Sequence, residues 1–128
     1  QYISILNNKS YEDKIKEVRI EGHTADYSAM HPTYISTIEL AQARANSVLA
    51  YILSNSYFDN LTQDDSEKII FWLSANGLGN GRTLDNEGNF TYESKESVSP
   101  VSRRVEFRIV TTSDELVDEI IKKYQDNI

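Results

Sequence analysis

The chain has 128 residues, 39% of them hydrophobic, with no cysteine and a formal net charge of −7. That length supports one domain with its own core, and the lack of cysteine removes disulfides and thiolate metal sites while fitting cytoplasm or periplasm equally. The acidic balance excludes the basic stripe that a nucleic acid demands, and no apolar run approaches the roughly 20 residues needed to cross a bilayer.

In chain order, residues 1–7 (QYISILN) read as an edge strand or packed lead-in, and Ser10-Tyr11-Glu12-Asp13 as a capping box that opens a short helical turn. Val18-Arg19-Ile20-Glu21 alternates, so Val18 and Ile20 share one face of a strand, the face that helices should cover, while Arg19 and Glu21 share the other. Gly22, lacking a Cβ, lets the backbone turn sharply or approach a ligand closely at the strand end. From Asp26 to Thr37 runs a long loop containing Pro32, Tyr27 and Tyr34, placed to rim a site at the strand exit. A helix is predicted over Thr37–Leu53, with Ala41, Ala45, Val48, Leu49 and Ile52 on one stripe and Arg44 at its edge.

Residues 54–63 read as a polar linker plugged by Tyr57 and Phe58. Asp64-Asp65-Ser66-Glu67 then suits the positive end of a second helix, whose Ile69, Ile70, Phe71, Trp72 and Leu73 are expected in the core and whose end is expected at Asn76-Gly77. The stretch 78–100, rich in Gly, Asn, Ser and Glu, reads as a long surface excursion with a small hairpin around Asn86–Asn89. Val105, Phe107 and Ile109 alternate in the clearest strand, and Thr112-Ser113-Asp114-Glu115 caps a C-terminal helix with Leu116, Val117, Ile120, Ile121 and Tyr124 on its apolar face.

Three blocks in this order carry a resemblance. IEGHT followed by a polar loop and ELAQARANSV, the turn Gly77-Leu78-Gly79, and SRRVEFRI at 102–109 together resemble the OmpA-like (OmpA/Pal/MotB) peptidoglycan-binding domain, nearer its MotB-like members in the loop. The resemblance implies an α/β two-layer sandwich, a mixed sheet with helices packed on one face, formed by residues 1–128 as a single domain. It also implies a periplasmic module excised from a longer protein tethered to the inner or outer membrane, with the anchor upstream of Gln1.

By the same resemblance Arg44 holds the carboxylate of diaminopimelate in a peptidoglycan stem peptide. A planar guanidinium clamps a carboxylate with two parallel hydrogen bonds, and the competing role for Arg44 is a structural salt bridge to Glu21 or Asp26. Asp26 is the expected partner for the ligand's ammonium, although the family aspartate directly follows GHT, where Ala25 stands here. Either the loop bulges so that Asp26 delivers the carboxylate or the contact is lost. Thr24, Ala25, Leu40 and Arg103 complete the expected ligand-binding set, with Arg104 on the sheet exterior and His23 buried and hydrogen-bonded. Thr37 and Ala41 replace the family's usual asparagine and serine, which removes polar capacity near the site.

Spacing argues against a metal, since His23, Asp26 and His31 sit on a loop without H-x-x-x-H or H-E-x-x-H, and against a nucleophile, since no G-x-S-x-G elbow exists. No cofactor is expected. The sequence thus points to a non-catalytic wall-binding domain that anchors an envelope protein, either a static tether or a stator partnered with a membrane channel through an upstream segment. The alternative is a protein-interaction or homodimerisation module on the same fold that has lost wall binding.

Overall fold

The computed structural model describes residues 9–11, 13–112 and 121–122. The lead-in at 1–7, Glu12 of the capping box, and all but two residues of the C-terminal helix expected after Thr112 lie outside the described residues. After a 3-10 turn at Lys9–Tyr11 come β1 (Ile15–His23), α1 (Tyr34–Leu53), α2 (Ser56–Asp59), α3 (Gln63–Trp72) and β2 (Leu73–Gly77). The short α4 (Thr91–Ser94), a 3-10 turn at Pro100–Ser102 and β3 (Arg104–Thr111) follow. The strands form one mixed sheet in the order β2-β1-β3 with helices packed against it, the α/β layering expected from the sequence. Two compact units are defined, residues 1–19, 51–74 and 108–128 in the first and 20–50 and 75–107 in the second.

In the first unit Tyr11, Ile15, Val18 and Trp72 form an apolar core, with Leu73 and Ile109 packed against it. The segment read as a linker holds α2, whose N-terminus Asn55 caps by accepting a hydrogen bond from the Tyr57 N–H at 2.8 Å. Helix α3 is capped by Thr62, whose hydroxyl accepts from the Asp65 N–H, and carries Asp64 and Asp65 in its first turn, where the helix dipole favours them. Only part of its apolar run is core: Ile69 and Trp72 are buried, whereas Ile70 is 54% and Phe71 82% exposed. Residues three apart share a helix face, and the two between them are turned roughly 100° and 200° away.

The expected helix end at Asn76-Gly77 is also corrected. Leu73 is already extended, with φ −76° and ψ 138°, and β2 follows at once. The segment is extended because β2 pairs with β1 in the sheet, and within the second unit the Gln42 side chain satisfies further backbone groups of it. Its amide donates to the Ala75 carbonyl at 2.9 Å and accepts from the Gly77 N–H at 2.8 Å, as the peptide group of a neighbouring strand would. Gly77 is small for proximity rather than for a left-handed cap, because a Cβ there would lie 2.6 Å from the Gln42 nitrogen and the Ile38 carbonyl oxygen.

Helix α1 starts three residues before the expected Thr37, because Thr33 and Ser36 exchange hydrogen bonds: each hydroxyl accepts from the other's backbone N–H, at 3.1 and 3.0 Å. Thr37, Ala41 and Ala45 are fully buried at four-residue spacing. Their small size brings α1 so close to β1 that a Cβ on Gly22 would stand 2.1 Å from the Ala41 carbonyl oxygen. The helix thus covers the Ile20/Gly22 side, as alternation predicts. Thr37 is a packing residue whose hydroxyl donates to the Tyr34 carbonyl at 2.7 Å.

The stretch after Gly77 is more than a surface excursion. Its tight turn is closed by the Leu84–Phe90 bridge, with the Asp85 carboxylate accepting from the N–H groups of Glu87 and Asn89. Ser102, fully buried, accepts from the Leu84 N–H at 2.8 Å and donates to the Leu84 carbonyl at 3.1 Å. Buried Thr83, Asp85, Ser99 and Ser102 therefore give the segment a polar interior.

Candidate functional site

Strand β1 delivers the site residues. Leaving it, Thr24 is buried and its N–H donates to the carbonyl of Gly79 at 2.9 Å, so the G-x-G turn pins the strand exit; Gly79 itself has φ +59°, a conformation suited to glycine. Ala25 is buried next, and Asp26 emerges exposed with one carboxylate oxygen accepting from the Tyr27 N–H at 3.1 Å. Ala25 and Asp26 then line a hollow of about 540 Å³ together with Tyr27, Glu96, Val98 and Arg103. This open hollow places two carboxylates and one guanidinium on its wall.

A neighbouring hollow of about 420 Å³ is lined by Arg44, Ser47 and Val48 of α1 and by Arg103, Arg104 and Val105. Arg103 borders both hollows. The expected set is therefore brought together in two groups, Ala25, Asp26 and Arg103 in one and Arg44 and Arg103 in the other. Thr24 and Leu40 line neither, Thr24 being buried and Leu40 half-buried on α1 one turn before Arg44. Among the described residues, the Arg44 and Arg103 guanidinium groups have no ion-pair or hydrogen-bond partner, so the salt bridge to Glu21 or Asp26 is not formed. In a chain of net charge −7, two unpaired guanidinium groups on one concave surface favour an anion.

Arg104 serves the fold. Its Nε meets Glu106 Oε1, its Nη1 donates to the Ser102 carbonyl at 3.0 Å and its Nη2 to the Arg82 carbonyl at 3.2 Å. Glu96 of the first hollow was missed by sequence reasoning; lying 70 residues beyond Asp26, it had no local pattern to mark it.

His23 is 1% exposed, as expected, but the expected hydrogen bond is not there: among the described residues neither ring nitrogen has a hydrogen-bond partner. Its Nε2 lies 3.9 Å from Glu21 Oε1 and 3.7 Å from Glu106 Oε2. Burial holds its pKa below the ordinary histidine range, and Arg104 and Arg82 push the same way against Glu106 and Glu21. The signal for this cluster was Glu21-x-His23, two residues apart on a strand and so on one face.

Among the described residues no helix is long and apolar enough to cross a membrane. No family model matches the chain, and no solved structure matches it significantly. Over an alignment of 129 residues the chain is 31% identical to Zorya protein ZorB of Escherichia coli, with 96% of this chain covered. That alignment takes in 49% of ZorB, so the chain spans about half the length of the curated relative it resembles.

Proposed function

We propose that this domain is a non-catalytic binder of peptidoglycan that anchors a larger envelope protein, as a static tether or as a stator-type component. The observation that carries the reading is the pair of unpartnered guanidinium groups, Arg44 and Arg103, on one hollow, with Arg103 continuing into a second hollow that also holds Asp26 and Glu96. A diaminopimelate head group carries an ammonium and a carboxylate on one carbon. Arg103 would take the carboxylate through charge-assisted hydrogen bonds, Asp26 and Glu96 the ammonium, and Arg44 a further carboxylate of the stem peptide. Asp26 thereby fills the role of the family aspartate from one position later, past Ala25. The RRVEFRI resemblance supports Arg103 as a site residue, this assignment differs from the resemblance in giving the diaminopimelate carboxylate to Arg103 rather than Arg44, and the likeness to ZorB supports a place in one half of a longer protein.

Co-sedimentation with insoluble peptidoglycan tests it. Wild type is expected to pellet, and Arg103→Ala and Arg44→Ala each to weaken pelleting about tenfold with melting temperatures unchanged. Equal pelleting of all three, or none by the wild type, would overturn the proposal. The rival reading, a protein-interaction or dimerisation module, is favoured by one observation: Tyr27, Met30, Tyr34 and Ile35 before and at the start of α1 are 52%, 84%, 49% and 70% exposed. Concentration-dependent dimerisation abolished by Met30→Ser, without any wall binding, would select it.

A further inference from the structure

We propose that Glu21, His23 and Glu106 form a divalent-cation site, with zinc the best-suited ion. Each offers one ligand atom, and the three atoms lie within 4.8 Å of one another. Glu21 and His23 share a face of β1, and Glu106 sits on β3, the strand beside β1. None of the three lines either hollow, although Glu106 pairs with Arg104, which lines the hollow that holds Arg44.

The imidazole is the second, independent pointer. A histidine with 1% of its surface exposed and no hydrogen-bond partner on either nitrogen among the described residues breaks the rule that buried polar groups are satisfied. Burial keeps the ring neutral, the form that ligates metals. Its Nε2 lies 3.7 Å from Glu106 Oε2 and 3.9 Å from Glu21 Oε1. Zinc bonds of about 2.0–2.2 Å in a tetrahedron set ligand atoms about 3.3–3.6 Å apart, so the two histidine–carboxylate distances need contract by only a few tenths of an ångström, while the Glu21 and Glu106 oxygens, within 4.8 Å of each other, draw together around the ion. Glu106 presents its two oxygens differently, Oε1 to Arg104 and Oε2 to His23, so Arg104 orients the carboxylate without occupying the ligand atom. Water would supply the fourth ligand. The bound ion would tie β1 to β3 just before the strand exit that leads to Asp26.

Chelator-treated full chain is titrated with Zn²⁺ by calorimetry and with Co²⁺ by visible absorption. The expected result is one equivalent per chain, a Co²⁺ spectrum of low coordination number, and a melting temperature raised by the metal. Glu106→Gln, at a half-exposed side chain that folding tolerates, should weaken binding tenfold or more, and His23→Gln should abolish it; His31→Ala should leave it unchanged. No stoichiometric binding by folded wild type, or equal binding by wild type and Glu106→Gln, would overturn the site. Loss of binding only in His31→Ala would overturn it too, by placing the ion on the loop.

Discussion

In the first unit the described core is built from Tyr11, Ile15, Val18 and Trp72, whereas in the second the buried residues include Glu21, His23, Thr24, Thr37, Thr83, Asp85, Ser99 and Ser102 beside Ile20, Ala41 and Ala45. A single strand, β1, carries both kinds of residue, apolar from Ile15 to Ile20 and then polar through Glu21, His23 and Thr24. Apolar burial is non-directional and roughly proportional to area, so it stabilises without dictating contacts. Polar burial is costly unless each group finds a partner, so a half built on it is tightly specified, and any unsatisfied group stands out as a candidate for chemistry. The hollows and the His23 cluster both lie in that second half.

The comparison is broken most severely by removing the largest apolar piece. Trp72→Ala, at a ring 5% exposed, should cost about 3–5 kcal/mol in urea denaturation. A loss under about 1 kcal/mol would mean that the first unit is not held by this core. Next comes close approach in the second unit: Gly22→Ala drives a methyl into the Ala41 carbonyl, backbone that cannot swing aside, and should cost about 3 kcal/mol. Ser102→Ala tests polar burial with almost no change in volume. It strands the Leu84 N–H while the Leu84 carbonyl keeps its bond from the Ser99 N–H, so about 1–2 kcal/mol should be lost. A neutral Ser102→Ala would show that the second unit tolerates its polar interior rather than depending on it.

These differences also decide what could be read from the sequence. Strand β1, the α1 stripe and β3 were legible because alternation and helical spacing are local properties; Gly22 stood out for its missing Cβ, but that it makes room for the Ala41 backbone of α1 had no local signal. The end of α3 was not, because residues 73–77 become a strand by pairing with β1, and Gln42, more than thirty residues away, adds partners for Ala75 and Gly77. The Thr33–Ser36 box was overlooked because serine replaced the usual glutamate of the motif. At the site, chain order placed Asp26 and Arg103 on useful elements. Which guanidinium shares a hollow with Asp26 depends on the path of residues 96–103, a segment without periodicity.

The smallest expected effect is a pH dependence that separates two buried polar groups of the second unit. Asp85 accepts hydrogen bonds from the N–H of Asn89, from Ser94 and from further backbone N–H groups of its turn, which hold its carboxyl below the ordinary aspartate range. Folding then favours the ionised form; that stabilisation is complete above the unfolded value near pH 4 and is lost as pH falls through the lower folded value. His23 is also depressed, but its window lies higher. The unfolded chain takes up a proton near pH 6.5 while the folded chain, with the ring buried and Arg104 and Arg82 facing it, resists until lower pH. Between those two values the unfolded state binds more protons, so stability must fall as pH drops from about 6.5, even though Glu21 and Glu106 soften the effect. Urea midpoints of the metal-free chain between pH 7.5 and 3 should therefore decline in two stages. His23→Gln should flatten the stage below pH 6.5, and Asp85→Asn the one below pH 4. An upper stage that persists in His23→Gln would assign that proton uptake to another group, since only loss of the imidazole removes the difference between folded and unfolded affinity at this site.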